Sequence, residues 1–246
     1  MSAAVAGAPP AARRPSPFAH ALQRQLGVAV YLAAWFWAVA LVCLVAASLV
    51  VWRVNGSVDV SVVQYARQAT IWFPFSQAIL LVAALLRPHV AAGMTRRTFL
   101  RASLLTAVAT GVLYTLVLVG LLLVERAVHG ALGWDTEVWD LPASADPEAG
   151  ELLGLFGPAM VLANLSGLLV GAVYHRGGAW WGTLTLPLTV APVLVALAAG
   201  GEWFTWDALD PWAGATAGVV VALVLGAVTA VAYVLVLRSI AIRTPR

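Results

Sequence analysis

The stretch that decides the fold is "GMTRRTFLRASLLTAVATGVLYTLVLVGLLLV", residues 93–124. Three arginines at its start are followed by a run of apolar and weakly polar residues over 102–124. A helix needs about 20 such residues to cross the hydrocarbon core of a bilayer, because each adds about 1.5 Å to a core about 30 Å thick. The run therefore predicts a membrane-spanning helix with a basic segment at its beginning.

The composition of the whole chain supports a membrane protein. Hydrophobic residues make up 62% of the sequence, charged residues only 10%, and the mean hydropathy is +0.91. These values lie outside the range of soluble globular domains. The chain contains no lysine, which excludes a Walker-type phosphate loop and a Schiff-base enzyme. Cys43 is the only cysteine, so the sequence has neither a disulfide framework nor a cysteine-based zinc site.

Five further segments are apolar and long enough to predict an all-α bundle of six membrane-spanning helices. The second span reaches full length only if it begins before Pro74, and the fifth contains Pro187 and Pro192, so we expect it to be kinked. The predicted spans are 28–52, the segment around Pro74, 102–124, 152–174, 179–199 and 213–237. The predicted domains are a disordered tail (1–15), an amphipathic elbow helix (16–27), the six-helix domain (28–238) and a short tail (239–246).

The distribution of charge fixes the orientation of this six-helix model. Cytoplasmic loops of membrane proteins are enriched in arginine and lysine near the helix ends. With both termini inside, eleven of the fourteen arginines lie on the inner side and all eleven acidic residues lie on the outer side. Arg53, Arg67 and Arg126 are the three outer arginines. We therefore predict that both termini are cytoplasmic.

The segment from Thr95 to Arg101 also matches a twin-arginine export signal, which belongs at an N-terminus. A start at Met94 would discard two spans that fit the charge pattern, so we interpret the segment as a cytoplasmic loop. Two roles for its arginines stay open. They could anchor the topology through the negative inner leaflet, or they could bind a soluble partner. Gly93 and Thr95 offer a turn and a helix cap that would hold "RRTFLR" as a short interfacial helix.

The pattern Gly93, Thr95, Arg96, Arg97 and Phe99, placed between the second and third of six helices, resembles the cytoplasmic loop of permease subunits in bacterial type-2 ATP-binding-cassette exporters. The resemblance implies that the loop contacts a separate ATPase subunit, which binds the ATP, and that a second permease subunit completes the transporter. It also implies the elbow helix and a segment over 200–212 that dips toward the outer leaflet. The implied docking residues are Arg87, Gly93, Thr95, Arg96, Arg97, Phe99 and Arg101.

Polar residues within the predicted spans are few, and none is charged. A charged group at mid-bilayer usually marks an ion path, so its absence weighs against a proton-coupled or sodium-coupled carrier. The candidates for a substrate path are Gln77, Thr110, Tyr114, Asn164 and Ser166. The alternative is that these residues form hydrogen bonds between helices. Gly167 with Gly171, and Gly214 with Gly218, have the spacing that lets two helices approach closely, and we expect them to do so within the chain rather than between subunits.

Other classes of function find little support in the sequence. The four histidines lack the spacing of a zinc pair, and no serine stands in a nucleophile elbow, so we predict neither a metal site nor an enzyme. The arginines face an anionic leaflet rather than a nucleic acid. The sequence predicts a permease that exports a hydrophobic or amphipathic substrate and takes its energy from a separate ATPase. The alternative is a non-transporting assembly factor or sensor that uses the same loop to hold a cytoplasmic partner.

Overall fold

The computed structural model describes residues 16–58, 60–134, 148–199 and 211–240, with side chains omitted for 211–215. The predictions for the tails 1–15 and 241–246 and for most of the segment 200–212 fall outside these residues. Within the described part of the chain, five helices are long and apolar enough to cross a membrane. They are α1 (Pro17–Asn55), α2 (Ala66–Ala91), α3 (Arg96–Leu132), α4 (Ala149–Ala199) and α5 (Pro211–Ser239), with a 3-10 turn at Val63–Tyr65 before α2.

Helix α1 combines the predicted elbow and the first span in one unbroken helix. The Ser16 hydroxyl accepts a hydrogen bond from the amide of Ala19 at 3.2 Å, and Pro17 occupies the first helical position. The helix ends at Gly56, whose φ is 81°. Its buried residues recur every four positions, which gives α1 a single narrow contact face. They are Ala21, Gln25, Ala29, Ala33 and Trp37.

The connection between α2 and α3 has the local features predicted for it. Gly93 has φ 78°, a left-handed conformation that favours glycine. Thr95 caps α3, because its hydroxyl accepts a hydrogen bond from the amide of Thr98 at 3.2 Å. The segment "RRTFLR" is not a separate short helix, since it forms the first turns of α3, which continues to Leu132. Helix α2 begins at Ala66, well before Pro74, as predicted.

Helix α4 contains a break at Gly178, where φ is 74° and ψ is −174°. Phe156, before the break, packs in the same core cluster as Leu197, after it. In a straight helix these two residues would be about 60 Å apart. The chain therefore doubles back at Gly178, between the predicted fourth and fifth spans. The number of membrane crossings stays a prediction.

The ends of the helices gather into two groups. The basic end comprises residues 16–24, 87–101, 174–183 and 238–240, where Arg96 donates a hydrogen bond to the carbonyl of Ile240. The opposite end comprises residues 53–58, 60–67, 125–134 and 148–156, where Arg67 lies over the ring of Phe156 at 4.7 Å. All three acidic residues that the structure describes, Glu125, Glu148 and Glu151, lie at the opposite end.

Two glycines bring α4 into direct backbone contact with α2. A Cβ added at Gly167 would lie 2.2 Å from the carbonyl oxygen of Phe75, and one at Gly171 would lie 2.9 Å from Cβ of Val82. These distances are shorter than any ordinary Cβ contact, so no larger residue fits without separating the helices. The prediction that Gly167 and Gly171 pack within the chain is confirmed.

Candidate functional site

The first candidate site is the exposed surface of the basic end. Arg97 and Arg101 are exposed one turn apart on α3, and Arg87 is exposed near the end of α2. Gly93 and Thr95 are also exposed, between these arginines. Other exposed arginines at this end are Arg24, Arg176 and Arg238. Among the described residues, no acidic side chain stands at this end, so the surface is suited to a negatively charged partner.

Two of the predicted docking residues have a different place in the structure. Phe99 is fully buried, and its ring packs against that of His89 with centroids 5.3 Å apart. It belongs to the core and cannot contact a partner directly. Arg96 is half-buried, and its guanidinium donates a hydrogen bond to the carbonyl of Ile240, at the end of α5. Such a bond satisfies a carbonyl that the helix leaves unpaired.

Buried hydrogen bonds fix the position of this loop. His89 Nε2 lies 3.2 Å from the carbonyl oxygen of Thr95. Two turns into α3, the hydroxyl of Ser103 lies 2.7 Å from that of Tyr233 on α5, and both side chains are buried. Together with the Arg96 contact, these bonds join the loop, α3 and α5 into one unit.

The second candidate site is a polar cluster in the middle of the bundle. The amide Nε2 of Gln77 on α2 donates a hydrogen bond to the hydroxyl of Tyr114 on α3 at 3.2 Å, and both residues are buried. Thr106, on α3, donates to Oε1 of Gln25 on α1 at 3.4 Å. Gln25 interrupts the apolar face of the elbow in the sequence, and the structure pairs it with a partner on a neighbouring helix. These contacts fit the interhelical role that the sequence left open.

A cavity of about 20 Å³ lies within this cluster. Gln77, Thr110 and Asn164, three of the predicted path residues, line it together with Thr106. It has room for about one water molecule and is far below the roughly 300 Å³ at which small-molecule sites begin. In this conformation the cluster therefore has no room for a substrate.

Polar atoms in the cluster are not all paired. Within the described part of the chain, Gln77 Oε1 and Ser166 Oγ make no hydrogen bond, although both are buried. Asn164 donates to the carbonyl of Met160 at 2.9 Å, which is a bond within α4 rather than between helices. Ser166 is fully buried and does not line the cavity with the other candidates.

A group of hydrogen bonds to Glu125, at the opposite end, was not predicted from the sequence. The carboxylate of Glu125 on α3 accepts hydrogen bonds from the Ser61 hydroxyl and from the amides of Val62 and Val63, at 2.7 and 3.1 Å for the amides. It thereby caps the turn that leads into α2. The only feature of the sequence that sets Glu125 apart is its position directly after a long apolar span. This position does not identify hydrogen-bond partners that lie more than sixty residues away.

Among the residues that the structure describes, no three histidine, cysteine, aspartate or glutamate side chains are grouped so that they could hold a metal ion. Comparison of the chain with protein-family models, curated proteins and solved structures found no match. The function is therefore inferred from the two sites and the arrangement of the helices.

Proposed function

We propose that the chain is the permease subunit of an ATP-driven transporter in the bacterial cytoplasmic membrane, and that it docks a separate ATPase through residues 87–101. The observation that carries the proposal is the cluster of exposed Arg87, Arg97 and Arg101 on a loop whose backbone is held in place. In this proposal the basic end faces the cytoplasm and both termini lie inside. A second permease subunit would complete the transporter.

The helix lengths support six crossings. The two parts of α4, residues 149–177 and 179–199, are each long enough to cross a hydrocarbon core about 30 Å thick. With the turn at Gly178 on the basic end, α4 contributes two crossings and each of the other helices contributes one. This arrangement leaves eleven arginines inside, in agreement with the positive-inside rule.

The contacts around the loop favour docking over simple anchoring to lipid. Orientation by the inner-leaflet potential needs only charge near the surface, at about 1 kcal/mol per arginine. Here the loop is also joined to the end of α5 through Arg96 and to the core through Phe99. A partner that displaces the loop would therefore act on α2, α3 and α5 together. A permease needs such a link, because its helices must move when the ATPase does.

The proposed substrate is hydrophobic or amphipathic. The polar cluster around Gln77 contains no charged side chain, and its cavity holds about one water molecule. Transport would therefore require the helices around the cluster to separate. The proposal assigns this closed conformation to a resting state of the cycle.

Purification of the tagged full-length chain from its native membrane in mild detergent tests the docking. We expect an ATP-hydrolysing subunit to copurify with the unchanged chain. The double variant Arg97→Glu with Arg101→Glu should lose it at least tenfold, because both substitutions reverse charge on the exposed face. Arg53→Glu, an exposed arginine at the opposite end, is the matched control and should retain it.

Two results would contradict the proposal. Retention of the ATPase by the double variant would remove the docking assignment. Copurification of a partner without ATP hydrolysis, lost in the same double variant, would favour the alternative of a non-transporting assembly factor or sensor. One observation supports that alternative, namely the closely packed interior in which Gly167 and Gly171 hold α4 against α2.

A further inference from the structure

A large apolar groove runs between α1 and α2 on the flank of the bundle. Its volume is about 690 Å³, within the range of small-molecule sites. Helix α1 lines it with residues from the range 35–47, and α2 with the turn before it does so with residues from 62–73. Nearly all of these side chains are aliphatic or aromatic. The groove is separate from the docking loop and from the central polar cavity.

A stacked aromatic pair marks one end of the groove, and polar groups lie at the other. Phe36 and Phe73 both line it, and their rings stack with centroids 4.6 Å apart. Because α1 and α2 are antiparallel, these two residues lie at the same level and together form one end of the groove. Val62 lines the other end, and its amide is hydrogen-bonded to the carboxylate of Glu125. An occupant would therefore have an apolar part inside and a polar part at the opposite end of the bundle.

The length and volume of the groove suit an extended chain. From Trp35 to Ala47 it extends about 18 Å along α1, at about 1.5 Å per residue. A volume of about 690 Å³ over this length corresponds to a mean cross-section of about 40 Å². The groove is therefore long and narrow, a shape that suits an extended hydrocarbon chain.

The surroundings of the groove indicate where such a hydrocarbon chain would come from. Only 6% of the residues in the most apolar 18-residue stretch of α1 are buried inside the protein. Val42 and Val50 on this helix are 71% and 62% exposed. In a membrane such a surface contacts lipid tails, so an acyl chain has direct lateral access to the groove.

We propose that the groove between α1 and α2 is a binding site for one acyl chain of a membrane phospholipid. The head group lies at the level of Val62 and Tyr65, and the end of the chain lies against the Phe36–Phe73 pair. This site does not depend on the permease assignment, since lipid binding and ATPase docking involve opposite ends of the bundle.

Native mass spectrometry of the full-length chain, released from phospholipid nanodiscs, tests the proposal. We expect one phospholipid to be retained by the unchanged chain. Ala69→Trp and Ala47→Trp each place an indole in the groove from an exposed position, and each should lower the retained fraction at least fivefold. Ala38→Trp makes the same change on the exposed far side of α1 and should leave retention unchanged.

A second measurement uses the unchanged chain, so that it does not depend on the folding of a variant. Phospholipids that carry a photoreactive group in the acyl chain should label peptides from 35–47 several-fold more than the exposed apolar segment 184–188. Equal labelling of the two segments would overturn the proposal. Equal lipid retention in the two groove variants and the control would also overturn it. The same holds for a retained compound that is not a phospholipid, and for a lipid-free dimer that the groove variants disrupt.

Discussion

Replacement of Gly167 by alanine should separate α4 from α2. The added Cβ would lie 2.2 Å from the carbonyl oxygen of Phe75 and 2.9 Å from Cβ of Ala78. A backbone atom cannot rotate away, so the helices must move apart by about 1 Å, and a gap of that size forfeits up to about half of a dispersion contact. Overpacking of this kind costs about 1–3 kcal/mol, and contact with backbone places it near 3 kcal/mol.

Gly157→Ala on the same helix is the matched control. Its added Cβ has Thr115 as its nearest neighbour at 3.8 Å, an ordinary contact. Both substitutions gain about 1 kcal/mol in helix propensity, so the difference between the two variants isolates the clash. We expect Gly167→Ala to be less stable than Gly157→Ala by about 3 kcal/mol.

Reversible unfolding in mixed micelles of mild and denaturing detergent measures this difference. The free energy of unfolding is obtained for each variant from its transition under identical conditions. A Gly167→Ala variant within about 0.5 kcal/mol of Gly157→Ala would refute the close approach of α2 and α4 at this point.

Two further predictions concern hydrogen bonds between distant segments. Glu125→Ala removes the carboxylate that accepts bonds from residues 61–63, so we expect a loss of about 3 kcal/mol in unfolding free energy, which Glu125→Gln should recover only in part. Ser103→Ala leaves the buried Tyr233 hydroxyl without its partner and should cost about 2 kcal/mol, whereas Tyr233→Phe should cost less, because Ser103 still donates to the carbonyl of Leu100. Detergent unfolding of the four variants measures both comparisons, and equal costs for Ser103→Ala and Tyr233→Phe would contradict the second.

Local features of the fold follow from the sequence. Long apolar runs predict the helices, because the hydrophobic core of a bilayer requires them. The cap at Thr95, the turn at Gly93 and the start of α1 at Pro17 follow from side-chain chemistry that acts within four residues. The close packing of Gly167 within the chain also follows, since small residues four positions apart allow it, whereas its partner helix, α2, does not.

Contacts between distant segments could not be predicted in the same way. Arg96 and Ile240 are 144 positions apart, and nothing near either residue identifies the other. Phe99 is a second example. It belongs to a basic segment that the sequence predicts to be exposed, yet its ring lies in the core. The elbow and the first span also read as two elements, whereas α1 is continuous and runs unbroken through Gly27 at their junction.

The candidate sites also combine features that the sequence predicts with features that depend on the tertiary structure. The sequence indicates Gln77, Thr110 and Asn164 as polar residues in apolar spans, and the structure places all three around one cavity. Their common position depends on the relative rotation of α2, α3 and α4, which the sequence of one helix does not encode. The groove between α1 and α2 depends on how far these two helices diverge, so it too requires the tertiary structure.

The central claim is that six crossings place the basic end on the cytoplasmic side, and cysteine labelling in intact cells tests it most directly. In a Cys43→Ser background, single cysteines would replace Ala92 in the loop before α3, Ala179 after the break in α4, and Glu148 at the opposite end, all exposed positions. We predict that a membrane-impermeant thiol reagent labels position 148 in intact cells and labels positions 92 and 179 only after permeabilisation. Labelling of position 179 from the outside, or of position 92 without permeabilisation, would contradict the account.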